Sequence, residues 1–276
     1  MTVFDRFNDY GFIHHRALNS RPNLDEALRL VAAYPARTHI LEGDLCWDFS
    51  SGNEIFYFRH PSYVVDTLPP AQIRAKLDQQ VLLGLADLSA VQATGAFVVL
   101  ELKVGRGDTR AALGKLVRIM EDHFAGRYWI DGFSLSMLEY VKSLNSDVPV
   151  TLHTELVYQQ HVLAAAPEWP PARLKRLSDL QTVDGIAIRR RGSNNFMSRA
   201  CRDVHDASKV LIASRIHTLD EFESSKRWGA KAGYIHGDFD ALVRRNDKID
   251  GLVSRFRSSP DLDARSGSEL RNPKGH

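Results

Sequence analysis

The chain has 276 residues, 43% of them hydrophobic and 25% charged, which is the composition of a globular protein with a sizeable core. Its 36 basic and 34 acidic residues are spread along the chain and leave a formal net charge of +2, so nothing in the overall charge indicates nucleic acid or an anionic membrane as a partner. No stretch approaches the roughly 18 apolar residues of a membrane span, and the N-terminal MTVFDRFNDY lacks the basic start and apolar run of a signal peptide. We therefore expect a cytoplasmic protein that does not insert into a membrane.

Short apolar runs alternate with amphipathic stretches along nearly the whole chain, which is typical of βαβ units and a parallel sheet. The runs predicted as strands are residues 11–15, 38–45, 97–103, 128–134, 150–154, 185–188, 210–215 and 233–237. The predicted helices are residues 24–34, 71–93, 109–124, 137–145, 171–180, 194–206, 219–228 and 239–245. Eight strand–helix pairs predict an α/β fold of the (β/α)8 TIM-barrel class, and the chain has no G-x-G-x-x-G loop of the kind found in dinucleotide-binding sheets.

Two segments stand outside this alternation. The stretch 46–68 carries the apolar run IFYF after a Ser-Ser-Gly-Asn turn, which predicts an extra hairpin or loop after the second strand. The last residues, 258–276, are polar and contain Gly, Ser and Pro, which is typical of a flexible tail. We therefore predict a single barrel domain over residues 1–257, followed by this tail.

The candidate site residues close the first three predicted strands, because TIM-barrel enzymes place their sites at the C-terminal ends of the strands. The three ends read IHHR at residues 13–16, LEGD at 41–44 and LELK at 100–103. Side chains two apart on a strand share a face, so Glu42 points the same way as Asp44, and Glu101 the same way as Lys103. The leucines between them favour the outer face, so the charged side chains are predicted to point into the barrel. On the first strand the same alternation puts His15 inside.

Three carboxylates that converge at one barrel mouth repel one another, and such a cluster is normally neutralised by a cation. No cysteine or histidine cluster stands beside Glu42, Asp44 and Glu101, and all-oxygen ligation favours Mg²⁺ or Ca²⁺. One such divalent cation, with the positive charges of Arg16 and Lys103, gives the mouth a small net positive charge that suits a phosphodiester monoanion. A single Glu-x-Asp pair is more often surface alternation or a structural ion pair, so the prediction depends on the joint placement of these residues at strand ends.

Further polar residues near strand ends are candidates for the substrate pocket. His153 follows the fifth strand, Arg189, Arg190 and Arg191 follow the sixth, and His236 follows the eighth. For the three arginines the alternative is a solvated loop. We predict that His153 and Arg189 contact the substrate, and that the arginines bind an anionic or sugar-rich group.

The order His-Arg, Glu-x-Asp, a histidine after a short loop, and Glu-x-Lys resembles the glycerophosphodiester phosphodiesterase family. The residues that carry the resemblance are His15 with Arg16, Glu42 with Asp44, His60, and Glu101 with Lys103. The resemblance implies a TIM-barrel phosphoric diester hydrolase in which the three carboxylates bind one metal ion. It further implies that Arg16 and Lys103 hold the phosphate, while His15 and His60 share the acid and base roles, each worth about 10²–10⁴ in rate.

The chain departs from this family near the expected alcohol pocket. The family usually has Gly after His-Arg, where this chain has Ala17, and its Trp near the seventh strand is Ser214 here. These departures leave the phosphodiester chemistry unchanged and alter the expected alcohol pocket. The favoured substrates are glycerophosphodiesters or related small sugar and polyol phosphodiesters, with sugar diesters of the agrocinopine kind as the specialised case.

Two alternatives stay open at this point. The sphingomyelinase D toxins resemble the layout and are phospholipid lyases, but they typically have Asp where Glu101 stands. A non-catalytic barrel that binds phosphodiesters is disfavoured, because every expected catalytic position is filled. We predict hydrolysis of a small-molecule diester to a phosphomonoester and an alcohol, through a cyclic phosphate, without a nucleic-acid partner; a homo-oligomer is not predicted.

Overall fold

The computed structural model describes residues 2–7, 9–60, 68–153, 181–189 and 201–244. Within these residues, nine strands form one sheet: β1 Gly11–His14, β2 His39–Phe49, β3 Ile55–Phe58, β4 Phe97–Gly107, β5 Tyr128–Gly132, β6 Val150–His153, β7 Gly185–Arg189, β8 Val210–Ile216 and β9 Ala232–Ile235. All except β3 pair in parallel, and β1 pairs with both β2 and β9, so the parallel strands close into an eight-stranded barrel. This closed arrangement confirms the predicted (β/α)8 fold.

Helices lie between the strands. The described α-helices are Arg21–Ala33, Pro70–Asp78, Ser89–Gln92, Thr109–Phe124, Leu135–Leu144 and Leu219–Arg227, and residues 201–206 and 239–244 are also helical. Short 3-10 helices span Val3–Arg6 and Leu85–Leu88. The predicted helix at 171–180 and the first part of the one at 194–206 lie outside the described residues.

The prediction of one helix over residues 71–93 is wrong. The helix Pro70–Asp78 ends just before Gln80, whose backbone φ of 55° lies in the left-handed region. The chain then returns to β3, where Leu83 forms a bridge with Phe58 and both side chains are fully buried. Packing against the hairpin thus overrides the helical pattern, an effect that local propensity does not reveal.

The extra hairpin predicted after the second strand is present as β3, which runs antiparallel to β2. It packs against the outer wall of the barrel at Gly43, where a Cβ would lie 2.7 Å from the Phe58 ring and 2.8 Å from Leu18 Cβ. Only a glycine leaves room for this close contact. Gly43, between Glu42 and Asp44, therefore allows β3 to pack against β2 directly behind the two carboxylates.

The N-terminal end of the barrel is filled with apolar side chains. The 3-10 helix Val3–Arg6 inserts Phe4, whose ring centroid lies 5.4 Å from that of Trp129, and both rings are buried. They join a core cluster that includes the inward-facing Ile13 and Tyr234. The charged side chains lie at the opposite end of the barrel, where the strands finish.

The chain divides into two compact units, Met1–His236 and Gly237–His276. The candidate site residues described below belong to the first unit. In the second, residues 239–244 are helical and residues 245–276 lie outside the described part, so the domain end at 257 and the tail at 258–276 stay predictions. Among the described helices, none combines the length and apolar character needed to cross a bilayer.

Candidate active site

The C-terminal ends of the strands surround a cavity of about 320 Å³, which is within the size range of small-molecule sites. Of the predicted site residues, those that line it are His15, Arg16, Asp44, His60, Glu101, Lys103 and His153. Arg189 ends β7 with its backbone paired to Ser214, but its side chain lies outside the described part of the structure, as do Arg190 and Arg191 entirely.

Glu42, Asp44 and Glu101 form a compact acidic cluster on the β2 and β4 side of the cavity. One carboxylate oxygen from each lies within 4.8 Å of the others, and all three residues are buried. Within the described residues, Glu42 Oε1 is buried and makes no hydrogen bond. A buried carboxylate oxygen without a partner is unfavourable, and a hard cation accepts such oxygens as ligands, so the cluster could bind a metal ion.

The two carboxylates of β2 have pKa shifts of opposite sign. Burial, and then the nearby charge of Asp44, raise the pKa of Glu42 well above its usual range. Burial also acts to raise the pKa of Asp44, but the charge of Lys103, followed by that of His60, outweighs it and lowers this pKa to about 2. Repulsion between two buried carboxylates is the condition that a bound cation relieves.

The loop after β1 orients both of these carboxylates. The Asn19 side-chain nitrogen donates to Asp44 Oδ2 at 2.5 Å, and the Asp44 backbone N–H donates to Asn19 Oδ1 at 2.9 Å. In the same loop, the Arg16 backbone N–H donates to Glu42 Oε2 at 2.5 Å. Sequence analysis missed Asn19, because an asparagine in a turn-like segment carries no pattern that marks it as a partner of a distant strand.

Arg16 adopts an unusual backbone conformation, with a φ of 58° in the left-handed region. Its carbonyl accepts hydrogen bonds from the Asn19 backbone N–H at 3.1 Å and from the Asn23 side chain at 3.0 Å. The resulting turn puts the Arg16 side chain on the cavity wall, where Nε lies 3.7 Å from Asp44 Oδ2. Strained residues of this kind cluster at ligand sites, held by the structure around them.

Lys103 is a buried cation between the acidic cluster and the cavity. Its ammonium lies 2.8 Å from Asp44 Oδ1 and contacts Glu101 Oε1, and its side chain is 2% exposed. The same nitrogen lies 5.2 Å from the centroid of the Phe133 ring. Lys103 therefore neutralises part of the acidic cluster while it presents positive charge to whatever occupies the cavity.

His15 belongs to a row of imidazoles along the cavity wall. Its ring centroid lies 3.9 Å from that of His236, which in turn lies 4.8 Å from that of His217. Burial, and then the neighbouring His236, lower the pKa of His15 to about 2, so its imidazole is neutral at ordinary pH. His60 lines the same cavity close enough to Asp44 to affect its pKa. His217, in the loop after β8, was missed by sequence analysis.

His14 lies on the opposite side of β1, as strand alternation predicts, and contacts His39. His14 Nε2 lies 2.9 Å from His39 Nδ1, and His39 Nε2 lies 2.9 Å from the Tyr34 carbonyl oxygen. Since a carbonyl only accepts, His39 donates through Nε2 and accepts from His14 at Nδ1. Burial, and then His39, lower the pKa of His14 to about 3, so this is a neutral structural pair.

Asp131 forms a second buried polar group inside the barrel. Its Oδ2 lies 2.7 Å from His153 Nε2 and accepts a hydrogen bond from the Tyr234 hydroxyl, and the residue has no exposed surface. His153 lines the cavity with its ring 4.9 Å from that of Phe133, so Asp131 fixes the orientation of a cavity residue. Sequence analysis identified His153 but not Asp131, although a lone acid inside the apolar run YWIDG was a usable signal.

Comparison with solved structures finds glycerophosphodiester phosphodiesterases. An Oleispira antarctica phosphodiesterase, solved in complex with the product sn-glycerol-3-phosphate, matches with a TM-score of 0.61 and 15% identity over 85% of this chain and 95% of that one. A glycerophosphodiester phosphodiesterase from Parabacteroides distasonis matches with a TM-score of 0.57 and 14% identity over 90% of this chain and 98% of that one. A glycerophosphodiester phosphodiesterase from Agrobacterium tumefaciens matches with a TM-score of 0.53 and 12% identity over 86% of this chain and 97% of that one.

The sequence matches no protein-family model, and none of the curated proteins matches it either. At these identities the structural similarity establishes the architecture, which extends over most of both chains in each comparison. The chain therefore has the TIM-barrel fold of the glycerophosphodiester phosphodiesterases that it is similar to.

Proposed function

We propose that the protein is a metal-dependent phosphodiester hydrolase that acts on glycerophosphodiesters or related small sugar and polyol phosphodiesters. The observation that carries the proposal is the buried acidic cluster of Glu42, Asp44 and Glu101 beside a cavity at the C-terminal end of the barrel. Asp44 and Glu101 line this cavity together with two cations and two histidines, Arg16, Lys103, His15 and His60. Similarity to solved glycerophosphodiester phosphodiesterases, one with sn-glycerol-3-phosphate bound, supports this choice of substrate class. The products are a phosphomonoester and an alcohol.

Glu42, Asp44 and Glu101 would hold one divalent cation. The donors are all carboxylate oxygens, and no cysteine lines the described part of the cavity, which favours Mg²⁺ or Ca²⁺ over softer metals. When bound, such an ion supplies Lewis-acid stabilisation of charge on phosphate oxygens. The partnerless Glu42 Oε1 and the raised pKa of Glu42 both support a cation at this cluster.

Arg16 and Lys103 would bind the phosphate. Both line the cavity next to the acidic cluster, so an anion placed there contacts two positive side chains as well as the metal site. His153, oriented by Asp131, faces the same space and would hydrogen-bond to the substrate through its other ring nitrogen. Arg189, which ends β7, is proposed to contribute to the same pocket.

His15 and His60 would share the proton transfers. Within the described part of the cavity no serine–histidine pair or reactive cysteine supplies a nucleophile, so the attacking group is water or a hydroxyl of the substrate. A hydroxyl on the carbon next to the phosphoester attacks through a five-membered ring, with effective molarities that can reach about 10⁵–10⁸ M. One histidine would take the proton of this hydroxyl, and the other would protonate the leaving alcohol.

The test follows ³¹P signals during incubation with a glycerophosphodiester and with its deoxy analogue, which lacks only the hydroxyl next to the phosphoester. We expect the diester signal to be replaced by a phosphomonoester, with a transient cyclic phosphate, and the deoxy compound to stay intact. Comparable turnover of the deoxy compound would assign the attack to water. Accumulation of the cyclic phosphate would identify a lyase, and no turnover of any glycerophosphodiester would contradict the proposed function.

A further inference from the structure

The cavity wall opposite the acidic cluster contains an irregularity in β8. Ala213 pairs with Gly233 of β9, and the next paired residues are Ile216 and Ile235, so β8 has one residue more than β9 in this interval. Two β8 residues, Ser214 and Arg215, therefore oppose the single β9 residue Tyr234. Two residues opposite one define a β-bulge, a feature that changes the direction of side chains and is common next to active sites.

The bulge brings Arg215 to the edge of the cavity. A regular strand would direct Ser214 and Arg215 to opposite faces, yet both line the cavity, and both also border a smaller space between β8 and the helix Leu219–Arg227. Arg215 has a φ of 63°, in the left-handed region where non-glycine residues are uncommon. A strained arginine at the mouth of a ligand cavity indicates that its position serves the ligand.

The charges that line the described part of the cavity are unevenly distributed. Its two carboxylates, Asp44 and Glu101, lie on β2 and β4, whereas the β8 and β9 side presents the cation Arg215 with two imidazoles, His217 and His236. In the order of the barrel, β8 lies across from β2 and β4. A substrate whose phosphodiester is held at the acidic cluster thus extends toward a wall of positive charge and N–H donors.

We propose that Arg215 binds a second anionic group, a carboxylate or a phosphomonoester, carried by the alcohol part of the substrate. This inference rests on the proposed function, because it assumes that the diester phosphate is held by Lys103 and Arg16. Arginine is suited to the task, because its guanidinium stays charged and binds carboxylate or phosphate oxygens in pairs. The predicted substrate class is therefore the small phosphodiesters with two anionic centres, rather than choline or ethanolamine diesters with a cation at that position.

The test compares two diesters that differ only in the distal group: glycerophosphoglycerol, which ends in a hydroxymethyl group, and glycerophosphoglycerate, which ends in a carboxylate. We expect kcat/KM of the wild-type protein to be about 10–100-fold higher for the glycerate diester, the range of one charge-assisted hydrogen bond. Arg215→Asn should remove this preference, so that the ratio of the two kcat/KM values falls to about one. Asparagine is chosen because it tolerates the left-handed conformation. Arg29→Asn, on an exposed helix, is the matched control and should keep the preference.

The possible results distinguish failure of the role proposed for Arg215 from failure of the proposed hydrolase function. Equal kcat/KM for both diesters in the wild-type protein would overturn the role of Arg215 and leave the proposed function intact, and this comparison decides the matter even if Arg215→Asn is unstable. A preference that survives in folded Arg215→Asn would likewise overturn it. Hydrolysis of neither diester, nor of glycerophosphocholine, would contradict the proposed function and the role of Arg215 with it.

Discussion

Asn19 and Asp44 hydrogen-bond each other twice, through the Asn19 amide at 2.5 Å and the Asp44 backbone N–H at 2.9 Å. The pair fixes the orientation of a carboxylate in the acidic cluster. Partners that orient a metal ligand in this way typically contribute about 10–100-fold to metal affinity or activity. Asn19→Ala should therefore weaken binding of Mg²⁺ or Ca²⁺ by about 10–100-fold in isothermal titration calorimetry.

Asn53→Ala is the matched control for this variant. Asn53 bonds to the Ser50 carbonyl and to Arg74, outside the cavity lining, so its loss should leave metal affinity unchanged. If folded Asn19→Ala binds the metal as tightly as the wild-type protein, the loop after β1 does not order the acidic cluster.

Substitution of the neighbouring residues His14 and His15 should have different effects. His15→Ala and His60→Ala should each lower kcat by at least about 10²-fold, because each removes a group that transfers a proton. His14→Ala should keep kcat and lower the melting temperature, because His14 bonds to His39 outside the cavity. A comparable loss of kcat in a folded His14 variant would show that the wrong imidazole was assigned to the chemistry.

The buried His14–His39 pair should make the protein sensitive to acid. Burial, and then His39, lower the pKa of His14 from 6.5 to about 3, so the fold favours the neutral ring. The stability it contributes is complete above about pH 6.5 and is lost as the pH falls toward 3, with a slope of up to about 1.4 kcal/mol per pH unit. His14→Gln should flatten the decline of unfolding free energy between pH 6.5 and 5 in urea titrations.

His123→Gln, at an exposed position in the helix Thr109–Phe124, serves as the control for this pH series and should decline like the wild-type protein. Parallel curves for wild type and His14→Gln would mean that His14 is not held neutral by the fold.

Asp131 and His153 should act as one unit in substrate binding. Asp131→Asn and His153→Ala are each expected to raise KM for the diester by about 10-fold, since Asp131 orients the ring that faces the cavity. Because both changes disturb the same contact, the double variant should raise KM no more than either single variant. Additive effects in this double-mutant cycle would indicate that the two residues contribute independently.

The barrel and the acidic cluster could be predicted from sequence because both depend on local rules. Strand alternation places Glu42 on the same face as Asp44 and Glu101 on the same face as Lys103, and parallel pairing of β2 with β4 brings the two strands together. The bond between Tyr234 and Asp131 could not be predicted this way, because it joins residues 103 positions apart and depends on the register of the closed sheet.

Two further features escaped sequence analysis for different reasons. The break after Asp78 follows from burial of Leu83 against β3, which competes with a continuous helical pattern. The bulge that brings Arg215 to the cavity requires one extra residue in β8 relative to β9, and such a mismatch is visible only when the two strands are paired.

The central claim is that a divalent cation at Glu42, Asp44 and Glu101 is needed for phosphodiester hydrolysis. The most direct measurement follows hydrolysis of a glycerophosphodiester by ³¹P signals, with metal content measured in parallel. The protein is assayed after exhaustive dialysis against a chelator and again after addition of Mg²⁺ or Ca²⁺, beside Glu42→Gln treated identically. We predict no turnover by the metal-free protein, recovery when either ion is added, and no recovery by folded Glu42→Gln. Full turnover by dialysed wild-type protein with no detectable metal would contradict the account.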